Sequence, residues 1–313
     1  MTDHIPHGRT ARRLEWQFLP PHIRAHVEER CGSPVVEARS QNAGFTPGFA
    51  SVLVCEDGSK HFVKAASVQA QRMFAESYRE EARKLAALPQ GVPAPRLLWS
   101  YDEDWVVLGI EQVEARNPAR PWRRSELDAS LDALELVAEL LTPAPAGLTL
   151  DTFAEELAAW PAYWDNLPPD SLPSRPERHA EASALAAKFR DHVGGNTLVH
   201  TDVRDDNTLL DEDGKAWFCD WNWPVLGADW LDSLVMLIGP RGDGLDVEAI
   251  IRQRPLLRDV PPEAIDAVLA VVTGYFLKSA RDPVPPTSPY LRDGQRWQGE
   301  VCWAWLAERR GWA

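Results

Sequence analysis

A change of pattern near residue 113 most constrains what this chain can fold into. Before it, short apolar runs read as strands. Segments 49–55 and 60–64 flank Asp57-Gly58, a typical hairpin turn, and 105–110 is a further strand candidate. Helical periodicity covers 69–88, between the strand candidates 60–64 and 105–110. This part of the chain therefore predicts a small antiparallel sheet with one helix.

After Val113 the pattern becomes mostly helical. Helical patterns cover 126–141, 177–193 and the segment that follows Pro261-Pro262. The two patterns together predict an α+β fold of two lobes, one formed by residues 1–113 and the other by 114–313, with a boundary near 111–116. A cleft between two lobes is a common place for a small-molecule site.

The charge is unevenly distributed along the chain, whose net charge is −14. Residues 1–150 carry 17 basic and 20 acidic side chains, and residues 151–313 carry 16 and 27. So acidic a second half repels nucleic acid and anionic membranes and attracts cationic ligands. Plain solubility explains the acidity equally well. We therefore expect no nucleic-acid or membrane partner, and the charge alone does not choose between a cationic ligand and a solvated surface.

Cysteine spacing and hydropathy indicate the compartment. Cys31, Cys55, Cys219 and Cys302 lie far apart in the sequence, without the spacing of metal-ligand pairs or a disulfide framework. No apolar run reaches the ~20 residues that a membrane helix needs, and the N-terminus lacks the apolar stretch of a secretory signal. We expect a cytoplasmic protein.

The most informative segment lies in the second part of the chain. Two short strand patterns, 208–210 and 216–219, bracket Asp213-Gly214. If those two residues form the hairpin loop, Asn207 and Asp220 face each other across the ribbon. An amide oxygen and a carboxylate at that separation suit Mg²⁺, which prefers oxygen ligands. A slip of one residue in the register would send the two side chains to opposite faces.

Asp202 precedes Asn207 by five residues, at the end of a predicted strand. A carboxylate beside two cation ligands can orient an attacking hydroxyl and accept its proton. A metal-dependent hydrolase using His200, Asp202 and Asp220 is an alternative. Such sites usually contain further histidine ligands, and the chain has only eight histidines, few of them near a motif.

The pattern H-x-D-x-x-x-x-N from His200 to Asn207, followed by Asp220 after a strand, resembles the aminoglycoside phosphotransferase and choline kinase family, small-molecule relatives of the protein kinases. The resemblance covers about residues 40–240. It implies a protein-kinase-like fold, ATP or GTP as phosphoryl donor, Asp202 as catalytic base, and Asn207 and Asp220 as Mg²⁺ ligands. His200 would brace the loop by hydrogen bonds.

A lysine and a glutamate in the first part of the chain complete this picture. At helical spacing Glu81 falls on the apolar face that contains Tyr78 and Leu85, whereas Glu80 points away. A carboxylate on an apolar face usually has a partner, and Lys64 on the neighbouring strand is the natural one. In the family such a pair holds the α/β-phosphates. The alternative is a solvated Lys64 at a strand end and a Glu81 at the rim.

Two further parts of the resemblance concern the nucleotide. A short loop with Gly44, Thr46 and Gly48 precedes the first strand and is similar to the family's phosphate-contacting loop, because glycines let backbone amides approach phosphate oxygens. Glu111 and Val113 match the family's interlobe linker, whose backbone groups would hydrogen-bond the purine.

The chain departs from the family pattern two positions after Asp220. The family often has an acidic residue there, and this chain has Asn222, which puts contacts to a second ion or to the loop in question. Asp232 matches a family carboxylate that braces the catalytic loop. No evident activation loop lies between Asp220 and Gly227, which argues against a protein kinase.

The acceptor is suggested by composition alone. The chain has 14 tryptophans, most of which should be core. A few at a cleft could stack on sugar rings or a nucleobase, and the acidic second half suits an amine. We therefore expect a hydroxyl acceptor that is cationic or contains sugar, namely an aminoglycoside or a nucleoside-type antibiotic that phosphorylation inactivates. Metabolic aminosugar or choline-type kinases share the motifs. A nucleotide-binding pseudoenzyme is a further alternative, although all five kinase positions are present, namely Lys64, Glu81, Asp202, Asn207 and Asp220.

Overall fold

The computed structural model describes residues 13–41 and 48–312. Its first part is a five-stranded antiparallel sheet, in the order β1-β2-β3-β5-β4. The strands are β1 (Val35–Ser40), β2 (Phe49–Cys55), β3 (Lys60–Ser67), β4 (Leu97–Asp102) and β5 (Trp105–Ile110). The predicted hairpin is present, with Gly58 at a φ of +83° in its turn, a conformation that glycine adopts without strain. The predicted second strand continues three residues further, to Ser67.

Two helices pack on opposite sides of this sheet. Helix α1 (Pro21–Cys31) covers one face with a small apolar cluster. Helix α2 (Arg72–Ala87) covers the other face and buries Tyr78, Glu81 and Leu85, the face that its periodicity predicts.

The second part begins with a strand that belongs to a different sheet. Strand β6 (Ala115–Arg116) pairs with β8 (Thr208–Asp211), which pairs in turn with β9 (Ala216–Phe218). Strand β7 (Thr197–Val199) pairs with β10 (Val225–Gly227). These two small sheets fix both ends of the segments that contain the predicted catalytic and metal-binding residues. The predicted boundary near 111–116 covers the linker after β5 and the two residues of β6.

Helices form most of the remainder. They are α3 (Arg124–Leu140), α4 (Phe153–Glu156), α5 (His179–Ala186), α6 (Leu231–Met236), α7 (Ile238–Gly242), α8 (Val247–Gln253), α9 (Pro262–Ser279) and α10 (Leu291–Arg309). The predicted helix 177–193 is shorter than expected, because α5 ends at Ala186 and a short 3₁₀ turn follows. Helix α9 begins at Pro262 and packs along α10. None of the helices within the described ranges is both long and apolar enough to cross a membrane.

The two parts meet at the small sheets. The backbone N–H of Phe218 donates to the carbonyl of Pro93 at 2.8 Å, and Lys84 Nζ donates to the carbonyl of Asn222 at 3.0 Å. The fold is therefore α+β with one small sheet lobe and one mostly helical lobe, as predicted.

Candidate active site

Hydrogen bonds from buried side chains hold the loop between β7 and β8 in place. The carboxylate of Asp232 accepts hydrogen bonds from the backbone N–H groups of His200 and Thr201, at 2.6 and 2.8 Å. His200 is buried, and its Nε2 bonds the carbonyl of Cys219 at 3.0 Å while its Nδ1 accepts from the N–H of Asp202 at 3.3 Å. Burial lowers the pKa of His200. Because both ring nitrogens are engaged, His200 braces the loop and is not a free ligand for a hydrolytic metal.

Asp202 lies in this braced loop, and its carboxylate has two side-chain partners. Asn207 Nδ2 donates to its Oδ2 and to its backbone carbonyl, both at 2.9 Å, and Arg204 Nη1 lies 2.6 Å from its Oδ1. Thr201, just before it, has a φ of +70°, an uncommon conformation for a residue with a Cβ that is often found at functional sites. Burial raises the pKa of Asp202, and the charge of Arg204 opposes that rise.

The register of the β8–β9 hairpin differs from the predicted one. Thr208 pairs with Phe218 and Leu210 with Ala216, so the partner of Asn207 is Cys219 rather than Asp220. The cause is the loop, which has three residues instead of two. A turn that ends in a left-handed glycine, here Gly214 with a φ of +78°, is the common three-residue hairpin connection.

The backbone at Asp220 departs from the strand immediately after this hairpin. Its φ is +70°, which aspartate tolerates better than most residues with a side chain. Asp202, Asn207 and Asp220 consequently line one cavity despite the shifted register. The predicted convergence of these residues is present, although the predicted direct pairing of Asn207 with Asp220 is wrong.

Lys64 connects the sheet lobe to this site. Its Nζ donates to both carboxylate oxygens of Glu81, at 2.7 and 2.8 Å, and to Oδ1 of Asp220 at 2.7 Å. Lys64 and Glu81 are only 7% and 1% exposed, so the solvated alternative for this pair is wrong. Glu80 instead forms ion pairs on the outer side of α2, with Arg83 and Lys84.

The charges within this cluster favour the ionised forms of Lys64 and Asp220. Burial alone would lower the pKa of Lys64, but the charges of Asp220 and Glu81 more than offset it and raise the pKa. Burial alone would raise the pKa of Asp220, and Lys64 more than offsets that too, so that this pKa is lowered. Burial raises the pKa of Glu81 against the pull of Lys64.

Only part of the predicted phosphate loop lies within the described residues. Gly44 and Thr46 lie outside the described residues. Gly48 approaches α2 so closely that a Cβ on it would lie 2.4 Å from the Tyr78 hydroxyl. Close packing against Tyr78 therefore requires glycine at position 48, and a phosphate contact there stays a prediction.

The predicted linker follows β5. The N–H of Glu111 donates to the carbonyl of Arg96 at 2.8 Å, and its carboxylate binds the Arg96 side chain. The carbonyl of Val113 accepts from Gln112 Nε2 at 2.9 Å. The N–H of Glu111 and the carbonyl of Val113 thus have partners within the chain, and a purine contact at this linker stays a prediction.

Asn222, the departure from the family pattern, contacts the other lobe. Its Nδ2 donates to Ser77 Oγ on α2 at 2.9 Å. An amide at this position thus ties the loop after Asp220 to the helix that contains Glu81.

The cavity beside Asp202 has a volume of about 460 Å³, and seven aromatic side chains are among the residues that line it. Trp160 stacks on Tyr275 with ring centroids 3.8 Å apart, and both line the cavity. Trp122, Trp223 and Trp297 also line it. Other tryptophans of the second half are fully buried core residues, namely Trp164, Trp221, Trp303 and Trp305. The expected division between core and cleft tryptophans is present.

The polar end of the cavity contains arginines that the sequence motif did not single out. Arg204 binds Asp206 through Nε and Nη2, at 3.0 and 3.1 Å, in addition to Asp202. Arg120 forms a two-pronged pair with Asp205. The sequence does contain a signal for Arg204, because this arginine follows Asp202 by only two residues. The pairing of Arg120 with Asp205 depends on tertiary structure, because 85 residues separate them.

Comparison with known proteins identifies the class. Residues 50–253 match the model of the phosphotransferase enzyme family known as APH, a stretch that includes Lys64, Glu81, Asp202 and Asp220. Because the match covers more than half of the chain, this protein belongs to that family and is a small-molecule phosphotransferase. A search of curated proteins found no significant match.

Solved structures show the same fold at low sequence identity. An aminoglycoside phosphotransferase from Alicyclobacillus acidocaldarius superposes with a TM-score of 0.59 at 16% identity, over 89% of this chain and 92% of that one. The choline kinase LicA from Streptococcus pneumoniae gives 0.57 at 12% identity, over 90% and 99%. A spectinomycin phosphotransferase solved with AMP gives 0.59 at 11% identity, over 90% and 98%. The predicted protein-kinase-like fold is confirmed.

Proposed function

We propose that this protein transfers the γ-phosphoryl group of ATP or GTP, with Mg²⁺, to a hydroxyl of a small molecule. One observation carries the proposal. Asp202, Asn207 and Asp220 converge on one cavity, and Lys64 from the other lobe bonds Asp220 at its edge. Phosphoryl transfer needs mainly positioning and charge neutralisation, and this set of side chains can provide both.

The donor set fits Mg²⁺. Asn207 uses its amide nitrogen to bond Asp202, which leaves its amide oxygen for an ion, and Asp220 offers a carboxylate. Around the site the cations Lys64 and Arg204 pair with four carboxylates, those of Glu81, Asp202, Asp206 and Asp220, an excess of negative charge that a divalent cation would balance. When bound, the ion would neutralise phosphate charge.

We assign the proton transfer to Asp202. Its Oδ2 is oriented by Asn207 and its Oδ1 by Arg204, so the carboxylate faces the cavity in a fixed position. A hydroxyl held in the cavity would be oriented by this carboxylate and would pass its proton to it as the phosphoryl group arrives. Lys64, positioned by Glu81, would bind the α/β-phosphates. The backbone at Glu111 and Val113 would bind the purine, and the loop of Gly44, Thr46 and Gly48 would cover the phosphates.

The cavity favours a particular kind of acceptor. Among the described residues, seven aromatic side chains line it, and its lining contains six carboxylates but only two arginines, Arg120 and Arg204. The excess of carboxylates attracts an amine, and a flat ring could stack on Trp160 or Trp223. We therefore propose a sugar-containing or nucleoside-like alcohol that carries an amine. Inactivation of such an antibiotic is the activity that we predict.

An acceptor panel tests the proposal. The protein would be incubated with Mg²⁺, ATP or GTP and four groups of alcohols: aminoglycosides, nucleoside antibiotics, glycosylated macrocycles, and aminosugars with choline. Mass spectrometry should detect the gain of one phosphate on a sugar-containing or nucleoside-like compound. Preferential phosphorylation of choline would contradict the acceptor class but not the reaction. No phosphorylation of any compound, with no slow nucleotide hydrolysis, would contradict the reaction itself.

The pH dependence should report the contact between Arg204 and Asp202. Asp202 must be ionised to act as a base, so activity is present above its pKa and is lost as pH falls through it. Burial raises this pKa and the charge of Arg204 holds it down. The substitution Arg204→Gln should therefore move the acid limb of the kcat/KM profile to higher pH, by about 1 unit or more.

Two controls accompany that profile. Arg204→Lys keeps the positive charge and should restore most of the original acid limb. If the acid limb moved only because the contact with Asp206 is lost, restoring the charge would not move it back. Arg252→Gln, at an exposed position of α8, should leave the profile unchanged. An acid limb that stays in place in Arg204→Gln would show that Arg204 does not tune Asp202.

A further inference from the structure

Two thiols and an imidazole lie together at one end of the interface between α1 and the sheet. The ligand atoms of Cys31, Cys55 and His61 are all within 4.8 Å of one another. Cys55 is buried, and the other two are partly buried. All four cysteines of the chain are free thiols in the structure. Spacing along the sequence does not predict this cluster, because 24 residues separate the two cysteines.

The helix periodicity explains why Cys31 faces the sheet. Ile23 and Val27 are fully buried in the cluster that joins α1 to the sheet. Cys31 follows Val27 at the next i+4 position, so it lies on the same face of α1 and packs against that cluster. It is the last residue of the helix, which ends at Gly32 with a φ of +79°.

The strand register places the other two side chains on the same side. Leu53 pairs directly with His61 across β2 and β3, and Cys55 is two residues beyond Leu53. Directly paired residues and residues two apart share one face of a sheet, and Leu53 belongs to the cluster under α1. The hairpin turn 56–59 closes this end, with the N–H of Cys55 donating to the carbonyl of Ser59 at 2.9 Å.

We propose that Cys31, Cys55 and His61 form a binding site for a thiophilic divalent cation, with Zn²⁺ as the fitting ion. Thiolate and imidazole are the ligands that Zn²⁺ prefers, and three of them with a water complete a tetrahedral site. Ser59 Oγ lies 3.0 Å from His61 Nε2, the kind of partner that ligating histidines have on the nitrogen away from the metal, which assigns Nδ1 as the ligand. The thiols lose their protons as the ion binds.

The site would fasten α1 to the sheet at a distance from the catalytic residues. It lies at the end of β2 opposite the strand's start at Phe49, the residue that follows Gly48. His61 shares β3 with Lys64, so an ion here would tie the end of α1 to the strand that presents Lys64. Binding to the folded state alone raises its stability in proportion to the logarithm of the free ion concentration.

Metal binding to the reduced, full-length protein tests the proposal. The metal-free protein, kept reduced with a phosphine, is titrated with Zn²⁺ and then with Co²⁺. We expect one Zn²⁺ per chain by elemental analysis, a melting temperature that rises with Zn²⁺, and a near-ultraviolet thiolate-to-cobalt charge-transfer band. Cys31→Ser and His61→Gln should each weaken Zn²⁺ binding by more than the about 10–100-fold typical of losing a group that only orients a ligand.

The matched control is Cys302→Ala, which removes a thiol from the core of the helical lobe and should bind Zn²⁺ as the original protein does. Circular dichroism of each metal-free variant establishes that it is folded, and Cys31→Ser, at a partly exposed helix end, is the variant least prone to misfold. Zn²⁺ binding that is absent, or equally tight in both ligand variants, would overturn the proposal. So would a Cys31–Cys55 disulfide that forms readily while the reduced protein binds no metal.

Discussion

Asp220→Asn is expected to lower kcat by about 10³-fold, equivalent to about 4 kcal/mol of lost transition-state stabilisation, while the protein stays folded. Asparagine keeps the size of the side chain and tolerates the left-handed backbone at this position, where φ is +70°. Alanine would add a backbone cost of about 1 kcal/mol and confuse the two effects. Lys64 keeps Glu81 as its partner in the variant, so no buried charge is left alone.

The measurement is kcat for phosphoryl transfer to any acceptor from the panel, or for the slower transfer to water. Asp213→Asn is the matched control, because Asp213 is exposed in the turn of the same hairpin, and its activity should be unchanged. Near-original turnover in Asp220→Asn would remove Asp220 from the mechanism.

Lys64→Met is expected to cost about 3–5 kcal/mol of the free energy of unfolding, in addition to abolishing activity. The substitution leaves the carboxylate of Glu81, which is 1% exposed, without its lysine. The double variant Lys64→Met/Glu81→Gln should recover a large part of the loss, because it removes Glu81, the more deeply buried of the two carboxylates that lose Lys64, the other being Asp220. Chemical denaturation monitored by circular dichroism gives both values.

The pH dependence of that loss has a definite sign. An unpaired, buried Glu81 has a folded-state pKa above its unfolded value, since burial already raises it when Lys64 is present. The stability difference between Lys64→Met and the original protein should be smallest near about pH 3, where the carboxyl is protonated in both the folded and the unfolded state, and should grow as pH rises. Lys60→Met is the control on the same strand. Its ion pair with Glu114 is exposed, so its loss should cost less than about 1 kcal/mol.

Local patterns in the sequence predict much of this architecture. The Asp57-Gly58 hairpin, the buried face of α2 and the start of α9 at Pro262 all follow from turn chemistry and periodicity. The choice of Glu81 over Glu80 follows from the same periodicity, because only one of two adjacent helical residues can face the sheet.

What the sequence could not predict depends on single-residue details or on contacts between distant segments. The predicted β8–β9 register is off by one, because the prediction assumes a turn of two residues and the turn has three. The left-handed backbone at Asp220 nevertheless leaves Asp220 lining the same cavity as Asn207. The pairing of Arg120 with Asp205 brings together segments that no local pattern connects.

The acceptor side of the site illustrates the same limit. Helices α9 and α10 lie beyond the residues that match the family model, yet Tyr275 and Trp297 from these helices line the cavity. Periodicity predicts the helix after Pro261-Pro262, but it cannot tell which of its aromatic side chains faces a ligand. The cavity wall therefore includes residues from the part of the chain that the family model does not reach.

The central claim is that Asp220 and Asn207 hold a magnesium ion against a nucleotide, and calorimetric titration with a non-hydrolysable ATP or GTP analogue tests it without knowledge of the acceptor. We expect Mg²⁺ to tighten analogue binding by at least about tenfold in the original protein, equivalent to about 1.4 kcal/mol, and to leave it nearly unchanged in Asp220→Asn. An equal effect of Mg²⁺ on both proteins would contradict the account.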